Sequence, residues 1–359
     1  MAIENPNPQP LVSVVIPAYN AANTIAATIG SVRRQTYTSI EILVVDDGST
    51  DRTRCIVEAI AAEEPRLRII GQQNAGVARA RNRAIAEAQG DWIAFIDADD
   101  IWHPEKLERQ LKVALTSALA PALIYSWCRS IDAEDRVIAD QGRPMHQGQA
   151  FKQLLVFNFI NNASNALVRT DAVREVGGFE EAFQAFHAYG AEDIALYLAI
   201  AERWPIAPAP GFLVGYRTLE NSMSAAPKRM RMSLELVLFH IEQKRPDIPV
   251  SLMALSRTFY DIYAASIALR SGMYSLFTRY LTKALLRRPG MTTLYVICAI
   301  FWRHSGKRAV QRGRSLFSSL QIFEPSYKQP FAEVFDRYRT SRVASTGAPR
   351  QMSRRRVWR

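Results

Sequence analysis

Across residues 11–117 short apolar runs alternate with segments of helical spacing, and two of those runs end in clusters of carboxylates. Ile40-Glu41-Ile42-Leu43-Val44-Val45 leads into Asp46-Asp47-Gly48-Ser49-Thr50-Asp51, and Trp92-Ile93-Ala94-Phe95-Ile96 leads into Asp97-Ala98-Asp99-Asp100. Near-continuous apolar runs mark strands buried on both faces, which means a parallel sheet covered by helices. Open sheets of this kind bind ligands beyond the carboxyl ends of their strands. Carboxylates gathered there repel one another, and a divalent cation relieves the repulsion. The pattern predicts an α/β fold with a metal-assisted nucleotide site at the strand ends.

The remaining elements follow from the same reading. Residues 11–16 form a first strand stopped by Pro17, and 67–70 a third; helices cover 23–35, 51–63 and 76–89, the last ending at Gly90. A helix runs from Pro104 to about Ser117, with Asp100 as a candidate cap. Beyond residue 120 the pattern is mixed: strands at 122–128, 163–168 and 212–216, and a helix at 192–203. From 228 onward it is all-helical, and 264–289 has the order of a helix-turn-helix unit. The expected division is a linker at 1–10, a catalytic domain at 11–227, a helical region at 228–328 and a basic, flexible tail at 329–359.

Charge divides the chain as well. Residues 226–359 hold 25 Lys and Arg against 7 Asp and Glu, so the rest of a chain of net charge +11 is acidic. An acidic catalytic half with a basic appendage points to an anionic membrane surface as a partner, or to a solvated helical face. Cys55, Cys128 and Cys298 are scattered, which suits a reducing compartment. The polar, Pro-rich opening lacks the form of a signal peptide, and the apolar run 294–302 is shorter than the roughly 20 residues that span a bilayer. The expected location is cytoplasmic, peripheral to the inner face of a membrane.

Taken together, Ser13-Val14-Val15-Ile16-Pro17-Ala18-Tyr19-Asn20, Val44 through Asp51 and Phe95 through Asp100 resemble family 2 glycosyltransferases, over roughly residues 11–220. The resemblance implies a GT-A fold: a Rossmann-like, mostly parallel sheet flanked by helices, here with an α-helical C-terminal extension. It further implies a nucleotide-sugar donor, Mn2+ or Mg2+, and inversion at the anomeric carbon. On this resemblance Pro17, Ala18 and Tyr19 line the base and ribose pocket. Asp46 and Asp47 belong to the donor site, Asp46 on a base N–H, with a lean to uridine. Asn74 and Arg79 lie beside the nucleotide. Asp97-Ala98-Asp99 is the metal triplet, with Asp99 as ligand and Asp97 on the ribose or a metal-bound water. Asp193, after Gly177-Gly178-Phe179, is the general base.

Arg79 and Arg83 share a helix face that Arg81 does not, and a solvated face is the expectation for Arg81 and Arg83. His103 reads as structural. Many family members carry a His where Leu219 stands, and Arg217 or Ser224 are the candidates to replace it. No Gln-x-x-Arg-Trp segment of the processive synthases occurs. The reading is therefore transfer of one or a few sugars, from a UDP-linked donor, to a glycan or lipid-linked saccharide acceptor in cell-surface polysaccharide synthesis. Nucleic acid is not expected as a partner. The alternatives are a sugar nucleotidyltransferase, disfavoured because Pro17-Ala18-Tyr19-Asn20 is no Gly-rich triphosphate loop, and a GT-A-like binding protein without turnover.

Overall fold

The computed structural model describes residues 9–186, 190–218 and 226–293, all within one compact unit, Met1–Leu320. The chain opens with the expected alternation: β1 (Val12–Ala18), α1 (Ile25–Arg33), β2 (Ile40–Asp46), α2 (Thr53–Ala61), β3 (Leu67–Gly71), α3 (Val77–Glu87) and β4 (Trp92–Phe95). These strands pair in parallel in the order β3-β2-β1-β4, with Val12 opposite both Ile40 and Trp92. That register brings the carboxyl ends of β1, β2 and β4 to one edge, where both acidic clusters lie. Side chains alternate between two cores. Val12, Val14 and Ile16 face one with Ile42 and Val44, while Val15 faces the other with Leu43 and Val45.

The second half adds β5 (Ile101–Trp102), α4 (Lys106–Thr116), β6 (Leu123–Ile131), β7 (Val137–Asp140), α5 (Phe151–Val156), β8 (Ala166–Arg169), α6 (Thr170–Glu175), α7 (Glu192–Arg203) and β9 (Ile206–Arg217). The sheet continues β4-β8-β6-β9-β5, with β7 on β6. Strand β8 runs antiparallel to both neighbours, whereas β9 is parallel to β6. The strand expected at 163–168 is shorter, because Ala163–Asn165 is a 3-10 turn. Asn165 ties that turn down: its amide donates to the Ser126 and Ile160 carbonyls and its Oδ1 accepts from Ser126. The last strand starts six residues earlier than expected, since Pro208 and Pro210 disguise it; a register shift next to Pro208 accommodates them. Elements β5, β7, α5 and α6 are too short to show periodicity.

The helical extension is α8 (Pro227–Lys244), α9 (Val250–Arg270) and α10 (Tyr274–Arg287). The expected helix-turn-helix is α9 to α10, turning at Gly272 with φ +70° and packed through Ala264, Ala265 and Tyr280. Asp261, buried on α9, accepts from Arg231 of α8 and from Arg287 of α10. Although the sequence suggests a boundary at 227/228, α8 and α9 share a core with the catalytic half: Met230, Leu234, Val237 and Tyr260 join Ala191, Ile194 and Tyr197. No helix among the described residues is long and apolar enough to cross a membrane. Leu219, Ser224, Cys298, the apolar run 294–302 and the tail 329–359 lie outside the described residues.

Candidate active site

Two turns build the side of the crevice where the donor is expected. Pro17 and Ala18 are buried at the end of β1, and Tyr19 projects beyond it, 51% exposed. Asn20 has φ +48°; its N–H donates to Ser49 Oγ at 3.1 Å and its Oδ1 accepts the Thr50 N–H at 2.9 Å, locking the turn after β1 to the turn after β2. Asp46 is buried and Oδ1 accepts the Ser49 N–H at 3.1 Å. Asp47 faces the segment after β3. Its Oδ1 accepts from Gln72 Nε2 at 2.7 Å and the Ala75 N–H at 2.8 Å, and its Oδ2 accepts the Gly76 N–H at 2.8 Å. With both oxygens engaged, Asp47 shapes the loop that carries the exposed Asn74. Gly48 permits the close approach: its φ is +73°, and a Cβ would sit 2.8 Å from the Asn74 nitrogen.

On α3 the three arginines part. Arg79 is exposed and its Nε lies 3.4 Å from Glu181; Arg83 is exposed beside Glu87. Arg81 is not the solvated cation that its spacing suggested. It lies on the stripe of Ala78, Ala84 and Ile85, is buried, and bonds Asp97 Oδ1 at 2.5 Å. Its guanidinium covers the Phe179 ring at 5.0 Å, and Phe179 in turn stands edge-on to Phe95. The Gly177-Gly178-Phe179 segment is held by Asn82, which accepts the Phe179 N–H and donates to its carbonyl, both at 2.8 Å. A Cβ on Gly178, where φ is +74°, would meet Asn82 Oδ1 at 2.5 Å.

Beyond β4, the Asp97 N–H donates to Ser164 Oγ. The Asp99 carboxyl is pushed up to about 6 by burial and then by the Asp97 charge. Asp100 does not cap a helix, since α4 begins only at Lys106. It is wholly buried, accepts from Ser164 Oγ at 2.5 Å and from the Arg217 N–H at 2.8 Å, and burial followed by the Asp99 charge holds its carboxyl well above the usual range. Arg217 is likewise committed to structure. It donates to the carbonyls of Asp99, Asp132 and Ala133 and pairs with Asp135, so it is not available to replace the family histidine. His103 is buried, with Nδ1 accepting the Glu105 N–H.

No group of three or more His, Cys, Asp and Glu side chains among the described residues forms a metal cage. Small hard divalent cations are held instead by one or two carboxylates together with substrate phosphates. Asp97 and Asp99 supply such oxygens, and although burial raises Asp99 most, the repulsion from Asp97 that adds to it is what a cation would relieve, so this pair fits a divalent ion.

Asp193 sits in the first turn of α7. Burial raises its carboxyl to about 7; Arg81 opposes the rise, while Glu192 and Asp97 add to it. Arg81 therefore stands within the field of Asp97, Glu192 and Asp193. Helix α3, the end of β4 and the start of α7 thus bring one cation to three carboxylates. A carboxylate poised near neutrality can take a proton from a hydroxyl.

Residues 13–177 match the family described as glycosyl transferase family 2. The chain is 42% identical over 115 residues to the putative teichuronic acid biosynthesis glycosyltransferase TuaG of Bacillus subtilis, covering 32% of this chain and 46% of that protein. It is 43% identical over 111 residues to the UDP-Glc:alpha-D-GlcNAc-diphosphoundecaprenol beta-1,3-glucosyltransferase WfgD of Escherichia coli, covering 31% and 43%. The chain spans less than half the length of these two relatives. Its fold is similar to that of mannosyltransferase PcManGT from Pyrobaculum calidifontis, solved with GDP-Man and Mn2+, with TM-score 0.54 and 18% identity over 81% of this chain and 80% of that one. TarS of S. aureus gives TM-score 0.53 and 17% identity over 79% and 50%. At such identities the likeness speaks for the GT-A fold alone. The family match includes both acidic clusters, so the similarity to glycosyl transferase family 2 extends over the segment that carries them.

Proposed function

We propose that the protein is an inverting, metal-dependent glycosyltransferase. It moves a sugar from a nucleotide-diphosphate sugar, UDP-linked in the first instance, to a hydroxyl of a glycan or lipid-linked saccharide in cell-surface polysaccharide synthesis. The observation that carries this reading is Asp193: a half-buried residue whose carboxyl is raised to about 7 and which shares Arg81 with the Asp97 of the second acidic cluster. The relative WfgD, whose name specifies UDP-Glc and a diphosphoundecaprenol-linked acceptor, supports the choice of donor and acceptor.

In this mechanism Tyr19 covers the base, Asp46 accepts its N–H, and Asp47 keeps the loop of Asn74 in place. Asp99 and Asp97 would hold Mn2+ or Mg2+, which offsets the charge on the departing diphosphate. Arg81 orients Asp97 and keeps the carboxylates from dispersing. Asp193 takes the proton of the acceptor hydroxyl as its oxygen attacks the anomeric carbon. One in-line displacement inverts that carbon and needs no protein nucleophile.

Calorimetry with UDP, GDP, CDP and dTDP, each with and without Mn2+, tests the donor site. One nucleotide should bind in a Mn2+-dependent manner, and Asp99→Ala should weaken it at least tenfold, as expected when one of two carboxylate ligands is lost. Folded protein that binds none of the four would sink the reading.

A further inference from the structure

Ser164 stands behind the second acidic cluster. It belongs to the 3-10 turn before β8, 67 residues along the chain from Asp97, and is wholly buried. Its carbonyl accepts from Trp102 Nε1 at 2.9 Å, and its neighbour Asn165 is bonded to Ser126 of β6. The Ser164 hydroxyl is thus presented from a fixed base.

That one oxygen makes two bonds of opposite sense. Oγ accepts the Asp97 N–H at 2.9 Å and donates to Asp100 Oδ2 at 2.5 Å, so it joins the first residue of the Asp97-Ala98-Asp99-Asp100 turn to the last. The other Asp100 oxygen accepts the Arg217 N–H at 2.8 Å. Asp100 has no exposed surface, so its carboxylate serves the interior. The carbonyls of the turn are taken as well. That of Asp97 accepts the Asp100 N–H, those of Ala98 and Asp100 accept from Thr28 Oγ1, and that of Asp99 accepts from Arg217 Nε. Two half-buried carboxylates are left over. Among the described residues Asp99 bonds no other side chain, and Asp97 uses one oxygen, on Arg81.

Resting on the donor-site reading above, we propose that Ser164 is the positioning residue of the metal pair, acting together with Asp100. The two fix the turn that carries Asp97 and Asp99, so that the carboxylates are in place before a cation arrives. Mg2+ and Mn2+ favour octahedral oxygen sites, and Mg2+ tolerates little departure from that geometry, so a turn that flexes holds them poorly. Groups that orient metal ligands from behind contribute to affinity without touching the ion. A hydroxyl can accept an N–H and donate to a carboxylate through one atom, which a methyl cannot do and a thiol does only weakly. Alanine at this position would leave the Asp97 N–H and one Asp100 oxygen unpaired in the interior, and the turn would have to shift to satisfy them.

The test titrates the full chain with Mn2+ in the presence of UDP, following free Mn2+ by electron paramagnetic resonance. Ser164→Ala should weaken Mn2+ binding about 10- to 100-fold and leave the affinity for uridine, which carries no phosphate, unchanged. If the alanine protein fails to fold, Ser164→Cys fills the space and should show the same loss in part. Asp100→Asn keeps the shape: its amide can donate to Ser164 Oγ while its Oδ1 accepts the Arg217 N–H, so Mn2+ affinity should stay within about threefold of wild type. Asp100→Ala should lose as much as Ser164→Ala, and the two together no more, because they act as one unit. Unchanged Mn2+ affinity in the folded Ser164 variant, whatever its Tm, overturns the proposal and leaves the serine a packing residue. A loss in Asp100→Asn as large as in Asp100→Ala also overturns it, since the Asp100 charge would then be what the metal needs. A wild type that takes up no Mn2+ with UDP overturns it together with the metal reading. Mn2+ binding that follows these variants as expected, in a protein that transfers no sugar, supports the positioning and sinks the transferase reading.

Discussion

The two sides of the site are built by different means. On the side proposed for the donor base, Asp46 ends β2 and Asp47 follows it directly. The parallel pairing of β1 with β2 puts Ala18 opposite Asp46, so the ligand-facing turns are adjacent as soon as the sheet forms. On the other side, Arg81 comes from α3, Asp97 from the end of β4 and Asp193 from α7, and no two of them are closer than 16 residues in sequence. Local geometry suffices for the first arrangement. The second exists only when the whole domain is packed, and its charges are coupled through one buried guanidinium. Substitutions on the donor side should therefore act locally, and those around Arg81 should act on fold and chemistry together.

The largest effect is expected at Asp193. Asp193→Asn keeps the shape and removes the base, so transfer should fall about 10²- to 10⁴-fold with UDP affinity unchanged. In the wild type, kcat/KM should rise about tenfold per pH unit and level off above about pH 7, where the carboxyl is ionised; in the variant that limb is absent. Stability runs the other way. A folded-state value raised from 3.8 to about 7 means the folded protein binds the proton more tightly than the unfolded chain. The resulting stabilisation is present in acid and is lost as pH climbs through about 7. Asp193→Asn should thus raise Tm at pH 8 and leave it nearly unchanged at pH 4. Loss of UDP binding in this variant would show that the two sides are not separable.

Next comes Arg81, the residue that joins them. Arg81→Ala leaves Asp97, Glu192 and Asp193 facing one another without a cation, and stability should fall by about 3 kcal/mol. Thermal unfolding at pH 7.5 checks it. Because the lost term is repulsion among carboxylates, lowering the pH should restore part of the loss; a deficit that does not depend on pH would assign Arg81 a packing role only.

This contrast also accounts for what could be read before the fold was known. The strands β1 to β4 announce themselves because both faces are buried, and Asp46, Asp97 and Asp99 because they end those strands. The helix at 192–203 and, within the described residues, the helices between 227 and 287 were legible from periodicity. Arg81 was hidden by its charge. It occupies an apolar stripe with Ala78, Ala84 and Ile85, and a helical projection that ignored residue type would have shown it facing inward. The direction of Asp47 was not legible, since its partners at Gln72, Ala75 and Gly76 lie beyond another strand. Asn82 carries no local signal, because what matters about it is its contact with Phe179 in a distant segment.

Gly48 offers the smallest and most local of these effects, and it tests the donor side alone. An alanine there would hold φ near +73° against its preference and push its Cβ to 2.8 Å from the Asn74 nitrogen and 3.4 Å from the Gln72 oxygen. Backbone cannot rotate away as a flexible side chain could, so the 72–76 segment must shift, and with it the bonds from Gln72, Ala75 and Gly76 to Asp47. The cost should be about 1–2 kcal/mol of stability, of the size found for a strained left-handed residue. UDP affinity should drop several-fold, while the pH limb set by Asp193 stays at about 7, because Arg81, Asp97 and Asp193 stand on α3, after β4 and on α7 rather than on this turn. Measuring Tm, UDP affinity and the pH profile on the one variant separates the cases. A shift of the pH limb would mean that the turn after β2 and the charges around Arg81 move as one body, and the division between a locally built side and a globally built side would fail.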